Sequence, residues 1–382
     1  MTALPPPQWI DTTAALRNLA GELSNYPRLA VDTESNSLHA YREQLCLVQF
    51  STPKADCLVD PLALNDLSPL APVFSNPKIE KVFHAAEYDL ICLKRDFGIT
   101  VVNLFDTMQA ARILGYKQVG LDTMLAEKES IILNKRYQKA DWARRPLMPE
   151  MLNYARLDTH YLLDLRDRLK VELEQRGRWA LACEEFTRLA SGNGNGNGKP
   201  ETPAWQHVKG TQKLTDRQLT ILQELCIWRQ FKAQKMDRPV FKVIDDQRLA
   251  AVAREAPKTA ADLTKIGLTT RQVALFGSDL LHAVQRGKEA ALIHRPRTVR
   301  PKQALIDRLN ALSDWRKEVA QGFGVESDIV LPKTWMHAIA EQNPKDLGEL
   351  AALMPNSPWR LENYGVEILK TIGRETGNAH PL

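Results

Sequence analysis

The chain is poor in the features that mark membrane, secreted and zinc-clustered proteins. Its 382 residues hold five cysteines, at 46, 57, 92, 183 and 226, and none are paired as C-x-x-C. That spacing excludes a zinc cluster of the usual kind and gives no disulfide framework. No apolar run approaches the roughly 18 residues that span a bilayer. The start, Met1-Thr2-Ala3-Leu4-Pro5-Pro6-Pro7, has neither a basic segment nor an apolar stretch of the kind a secretion signal needs. No G-x4-G-K-[ST] phosphate loop occurs, which argues against a helicase motor. A cytoplasmic protein with no membrane association and no obligate protein partner is therefore expected.

What is present is ordinary in amount and uneven in distribution. Apolar residues are 44% and charged residues 25%, as in soluble globular chains. The net charge is +5. Residues 1–190 hold 23 Lys/Arg against 25 Asp/Glu, and the remainder 28 against 21. A slightly acidic part joined to a basic part suits a carboxylate-rich site next to a polyanion-binding region.

Two breaks divide the chain. Ser191 through Gly198 reads Ser-Gly-Asn-Gly-Asn-Gly-Asn-Gly, which has nothing to bury in a core. His294 through Lys302 combines two prolines with dense positive charge. The expected organisation is a first domain at 1–190, a linker at 191–204, a helical module at 205–290, a basic linker at 291–302 and a second module at 303–382.

Before the first break, strands and helices alternate. Arg28–Asp32 and Leu45–Phe50 read as strands and Lys81–Phe83 as a short one. Tyr88–Arg95 and Thr107–Leu114 read as helices, and one long helix is expected from Pro149 toward Leu169. This is the pattern of an α/β layered domain. After the break the signal is all helical and repeats at an offset of 87 residues. Trp228-Arg229 falls on Trp315-Arg316, Leu222 on Leu309, Val243 on Val330, Pro257 on Pro344 and Leu263 on Leu350. The matched residues are mostly apolar at helical spacing, so they denote one core built twice.

Three stretches carry the chemistry. In Arg28-Leu-Ala-Val-Asp32-Thr-Glu34 an apolar strand leads into Asp-x-Glu, and strand alternation puts both carboxylates on one face. Side by side they repel, and a cation between them relieves the repulsion. In Val82-Phe-His84-Ala-Ala-Glu-Tyr-Asp89, a strand runs into a helix whose first turn holds Asp89. That acid shares a stripe with Cys92 and Leu93. In Tyr154-Ala-Arg-Leu-Asp158, Tyr154 and Asp158 are i and i+4 on a helix face continued by Tyr161 and Leu165. Tyr137 and Asp141 repeat that spacing in a basic, proline-flanked stretch where no long helix is expected.

Taken in order, Asp32-x-Glu34, Asp89 and Tyr154-x3-Asp158 resemble the three motifs of the DEDD exonuclease superfamily, in its tyrosine-bearing branch. Gln44 through Phe50, His84 through Asp89 and Asp141-Trp-Ala-Arg-Arg-Pro-Leu147 further resemble the ribonuclease D family. The two C-terminal repeats are similar to the helicase-and-RNase-D C-terminal domain. The resemblance implies an α/β ribonuclease-H-like exonuclease domain, a mixed sheet flanked by helices, followed by two all-α modules. It also implies 3′→5′ hydrolysis of RNA to nucleoside 5′-monophosphates, with tRNA precursors bearing 3′ extensions as the substrate class. Asp32, Glu34, Asp89 and Asp158 would hold two divalent cations, Mg²⁺ or Mn²⁺, and Tyr154 would orient the attacking water. Oxygen donors suit those hard ions. Many members carry Asn where this chain has His84, so His84 is not expected to be a ligand.

Lys135, Arg136, Lys139, Trp142, Arg144 and Arg145 form a basic, aromatic stretch that could line the RNA path. Lys232, Lys235, Arg238 and Lys242, and the intermodule Arg295, Arg297, Arg300 and Lys302, could add phosphate contacts. The competing readings are a 3′→5′ DNA exonuclease with the same motifs and an inactive RNA-binding scaffold. Against the second, all four acids and the tyrosine are present.

Overall fold

The computed structural model describes residues 4–129, 131–192, 203–295 and 301–373. The glycine–asparagine linker from 193 onward, and Arg297 and Arg300 of the basic linker, lie outside the described residues. By contacts the chain forms two compact units. One comprises residues 1–35, 45–195 and 300–382, the other residues 36–44 and 196–299.

The first unit contains a six-stranded mixed sheet. Its elements begin with β1 (Gln8–Ile10), α1 (Thr13–Leu23), β2 (Arg28–Ser35), β3 (Leu45–Ser51), β4 (Asp56–Val59), α2 (Pro61–Leu64) and α3 (Ala71–Phe74). They continue with β5 (Glu80–Phe83), α4 (Glu87–Phe97), β6 (Leu104–Asp106), α5 (Thr107–Leu114) and α6 (Leu121–Glu129). Helices α7 (Pro149–His160), α8 (Leu162–Gln175) and α9 (Trp179–Gly192) follow. The strand order is β1-β4-β3-β2-β5-β6. β3 runs antiparallel to both neighbours, while β5 is parallel to β2 and β6 to β5. β3 is buried along its whole length, which explains its unbroken apolar sequence.

Two expectations are corrected here. β2 continues to Ser35, so Asp32 and Glu34 lie within the strand and not at its end. The single helix from Pro149 to Leu169 is two helices, parted by a turn at Tyr161, with φ −100° and ψ 0°.

The tandem repeat appears as five helices used twice. In the second unit these are α10 (Asp216–Lys235), α11 (Val240–Val243), α12 (Asp246–Glu255), α13 (Ala260–Lys265) and α14 (Thr270–Glu289). Their counterparts in the first unit are α15 (Gln303–Phe323), α16 (Ser327–Val330), α17 (Lys333–Gln342), α18 (Leu347–Leu353) and α19 (Pro358–Gly373). α11 and α16 begin and end 87 residues apart, as do α12 and α17. The internal bonds repeat too. Arg229 donates to the Ile244 carbonyl at 3.0 Å, and Arg316 to the Leu331 carbonyl at 3.0 Å. Within the second unit, the segment 36–44 packs Tyr41 against the helical core, and the Tyr41 amide donates to Asp237 Oδ1 at 3.1 Å.

The second copy is joined to the nuclease layer inside the first unit. Arg360 on α19 is fully buried and bonds Glu184 at 2.5 Å and Glu185 at 3.0 Å, both on α9. Its remaining donors reach the carbonyls of Ile329 and Val330. Arg178 donates to the Phe323 carbonyl at 2.6 Å and lies 4.0 Å over the Phe323 ring. Arg112 pairs with Glu326 and Asp328. Gly115, at φ +83°, lets the two backbones meet: a Cβ there would stand 2.2 Å from the Gly324 carbonyl oxygen.

Candidate active site

Three elements converge on the second half of β2. Asp32 and Glu34 come from β2, opposite Gln49 and Leu47 of β3. Asp158 comes from α7. Carboxylate oxygens of Asp32, Glu34 and Asp158 all lie within 4.8 Å of one another. Asp89, in the first turn of α4, lines the same cleft of about 460 Å³ and is reached by Thr33, whose hydroxyl donates to Asp89 Oδ1 at 2.5 Å.

The orientation of α7 has local causes. Pro149 opens the helix at N1. Met151 and Ala155 pack with Trp142 against Cys46 and Leu47 of β3 and Leu58 of β4. At the other end, Thr159 Oγ1 lies 2.7 Å from Ser51 Oγ, and Asp56 joins both Ser51 Oγ at 2.7 Å and His160 Nδ1 at 2.9 Å. Apolar packing and this buried network fix the helix rotation, so the i and i+4 positions Tyr154 and Asp158 face the cleft. The look-alike pair is separated. Tyr137 stacks edge-on against Tyr154, with ring centroids 6.1 Å apart, and Asp141 accepts from the Ala143 amide beside it.

Asp89 is set in place by a residue that motif reading passed over. The turn between β5 and α4 places Ala85 at φ +61°, an unfavourable value for a residue with a Cβ. Asp106 holds that turn by accepting from the amides of Ala85 (3.2 Å) and Ala86 (2.8 Å), while it also caps α5 through Met108 and Gln109. An Asp directly before a helical pattern was the available signal. His84 shares a 2.9 Å bond with Thr107 Oγ1, and burial depresses its pKa to about 4.

Electrostatically the cleft is an excess of negative charge withdrawn from water. Burial raises the pKa of Asp32 from 3.8 to about 7, opposed by a backbone hydrogen bond at Thr33. Burial, then the Asp32 charge, raises Asp158 to about 8. Glu34 is raised well above the ordinary value by burial and by Asp32, Asp158 and Asp89. Asp89 is raised by burial and Asp32, against the Thr33 bond. Four acids of hard oxygen donors, each opposed by its neighbours, match the charge and donor type that a divalent cation needs. The Tyr154 phenol is held protonated by burial and by the charges of Asp158, Glu34 and Asp32.

The basic stretch divides into two groups. Lys135 lines the cleft and pairs with Asp122 at 2.8 Å; Arg136, Lys139 and Arg144 are exposed. Trp142 and Arg145 are corrections. Trp142 is 1% exposed in the cluster that seats α7, so its ring has no free face for a base. Arg145 forms a two-pronged bond to Asp60 at 2.6 and 2.7 Å and also donates to the carbonyls of Cys46 and Trp142. Its donors are committed to the fold.

This geometry agrees with the comparisons to known proteins. Residues 7–174 match the family described as 3′-5′ exonuclease, and residues 218–284 and 306–372 each match the HRDC domain. The chain is 31% identical to ribonuclease D of Nitrobacter hamburgensis over 93% of its length and 92% of that protein's. It is 34% identical to the exosome complex exonuclease RRP6 of Saccharomyces cerevisiae over 66% of its length, spanning 36% of that longer protein. The solved structure of Escherichia coli RNase D, described as an exoribonuclease involved in structured RNA processing, superposes with a TM-score of 0.70 at 27% identity. That match covers 96% of this chain and 99% of the other. Among the described residues no helix is long and apolar enough to cross a membrane. The chain belongs to the ribonuclease D family and is a hydrolytic 3′→5′ exoribonuclease.

Proposed function

We propose that Asp32, Glu34, Asp89 and Asp158 bind two divalent cations, Mg²⁺ or Mn²⁺, and that Tyr154 orients the attacking water. The observation that carries this reading is the half-buried triad of Asp32, Glu34 and Asp158, with carboxylate oxygens within 4.8 Å and no cationic side chain among the causes that set their pKa values. Divalent cations supply Lewis-acid activation of water and neutralise the charge that develops on the leaving 3′ oxygen.

The chain's own groups divide the work. The triad fixes the anionic donors on two rigid elements, β2 and α7. Thr33 bonds Asp89 directly, and Asp106 fixes the turn that precedes it. Tyr154, remaining protonated, directs the water through its hydroxyl and does not take up the water's proton. The water oxygen loses a proton to solvent as it bonds to the phosphorus, the P–O3′ bond breaks, and the departing 3′ oxygen takes up a proton from solvent. The RNA, one residue shorter, keeps a 3′ hydroxyl, and the released product is a nucleoside 5′-monophosphate.

The natural substrate class is RNA with a structured body and a single-stranded 3′ end, in particular tRNA precursors with 3′ extensions, met in the cytoplasm. The involvement of the E. coli relative in structured RNA processing supports this choice. Exposed Arg136, Lys139 and Arg144, with Lys135 at the cleft, are the residues that would meet the backbone.

The test uses 5′-labelled RNA carrying a 3′ tail, DNA of the same sequence, and a tRNA precursor, each with Mg²⁺, Mn²⁺ or chelator. Stepwise shortening of RNA from the 3′ end is expected, and it should disappear with chelator and in Asp32→Asn protein. Cleavage that survives chelation would remove the cation site. Equal turnover of the tRNA precursor and an unstructured RNA would remove the substrate preference.

A further inference from the structure

A second cavity, of about 430 Å³, opens beside the catalytic cleft. The two share four lining residues, Leu133, Asn134, Tyr154 and Asp158. The two cavities therefore adjoin at the Tyr154 and Asp158 side chains. The far walls combine flat and apolar surface with a few polar groups. Tyr137 and Leu157 offer faces for a base. Glu150 and Asn153, on the exposed turn of α7 before Tyr154, offer an acceptor and an amide. Arg136 stands at the rim with its guanidinium 5.5 Å over the Tyr137 ring. The volume is in the range of small-molecule sites and accommodates one nucleotide.

The direction of the chemistry says which nucleotide. If Tyr154 orients the attacking water, in-line displacement puts the leaving 3′ oxygen, and the RNA attached to it, on the opposite side of the phosphorus. Inversion carries the phosphoryl group toward the Tyr154 side as the bond breaks. The shortened RNA still occupies the path by which it entered, so a mononucleotide released before the RNA dissociates needs another opening. We propose that the cavity behind Tyr154 is a product site, which receives the nucleoside 5′-monophosphate and through which it leaves. This rests on the roles given above to Tyr154 and the carboxylates.

Asn153→Trp and, on the preceding turn, Glu150→Trp would each narrow the cavity from an exposed α7 position. Single-turnover and steady-state rates on labelled RNA are compared in the full-length protein, together with inhibition by added 5′-AMP and 5′-UMP. The steady-state rate should fall about tenfold further than the single-turnover rate, because release becomes limiting. Inhibition by both mononucleotides should weaken by a similar factor. Steady-state and single-turnover rates that fall together, or unchanged mononucleotide inhibition in both variants, would overturn the product site. The earlier reading fails separately, through loss of cation-dependent single-turnover cleavage in the unsubstituted protein.

Discussion

Four acids crowded into one cleft and partly withdrawn from water should make the cation-free protein weaker than a variant with one acid fewer. Consider Asp32→Asn, which keeps the shape and removes the charge. The folded pKa of Asp32 is about 7 against an ordinary 3.8. The folded state thus binds the proton more tightly than the unfolded chain, so stability falls as pH rises from about 4 and the loss is complete above about 7. The shift of about three units corresponds to about 4 kcal/mol at pH 8. At roughly 2 °C per kcal/mol for a unit of this size, the variant should melt several degrees above the parent in chelator. Near pH 5 the gap should shrink to roughly 2 kcal/mol, less than half of that. With saturating Mg²⁺ the order should reverse, since only the parent gains the binding free energy of a complete site. Thermal melts followed by circular dichroism at the two pH values, with chelator or Mg²⁺, measure all of this. If Asp32→Asn melts at or below the parent at pH 8 in chelator, mutual repulsion among the acids is not what shapes this cleft.

Further predictions concern the other acids, the basic stretch and the clasp between α9 and α19. Asp89→Ala and Asp158→Ala should abolish RNA shortening while Asp141→Ala retains it; activity in either of the first two would break the site assignment. Arg144→Ala should lower the salt dependence of RNA binding by about one unit of slope without changing the melting temperature. Arg145→Ala should cost about 2–3 kcal/mol in urea unfolding, because it strands buried Asp60; equal stability would show that pair to be incidental. Arg360→Ala should cost about 3–5 kcal/mol by leaving Glu184 and Glu185 buried and unpaired. Gly115→Ala should cost at least about 2 kcal/mol from the positive φ and the 2.2 Å approach to Gly324, and an unchanged melt would contradict that close contact.

What could be read from the sequence followed from local physics. β2, β3 and β5 were visible as apolar runs, and Tyr154 and Asp158 as a helix face. The repeat was visible because each copy rebuilds the same core, down to the Arg229 and Arg316 bonds to equivalent carbonyls. Hidden features depend on partners distant in sequence. β1 and β6 are three residues long and carry no periodic signal. Trp142 sits among charged neighbours and reads as surface, yet its burial is decided by Cys46, Leu47 and Leu58. Arg360 reads as one more basic residue of a nucleic-acid-binding module. Glu184 and Glu185 make it one of the residues that tie the second copy to the nuclease layer. Across the last helix the offset is 88, as Phe276 and Tyr364 against the paired tryptophans show, so the equivalent position in the first copy is Gln272, which caps the start of α14.

The same clasp sets an order of events during synthesis. Glu185 and Arg360 are 175 residues apart in the chain. At roughly 5–20 residues per second, the α9 carboxylates wait about 10–35 s for their cation after leaving the ribosome's catalytic centre. During that interval residues 203–295 are made, which belong to the other unit. The nuclease layer is therefore closed late, by a helix from beyond the inserted module.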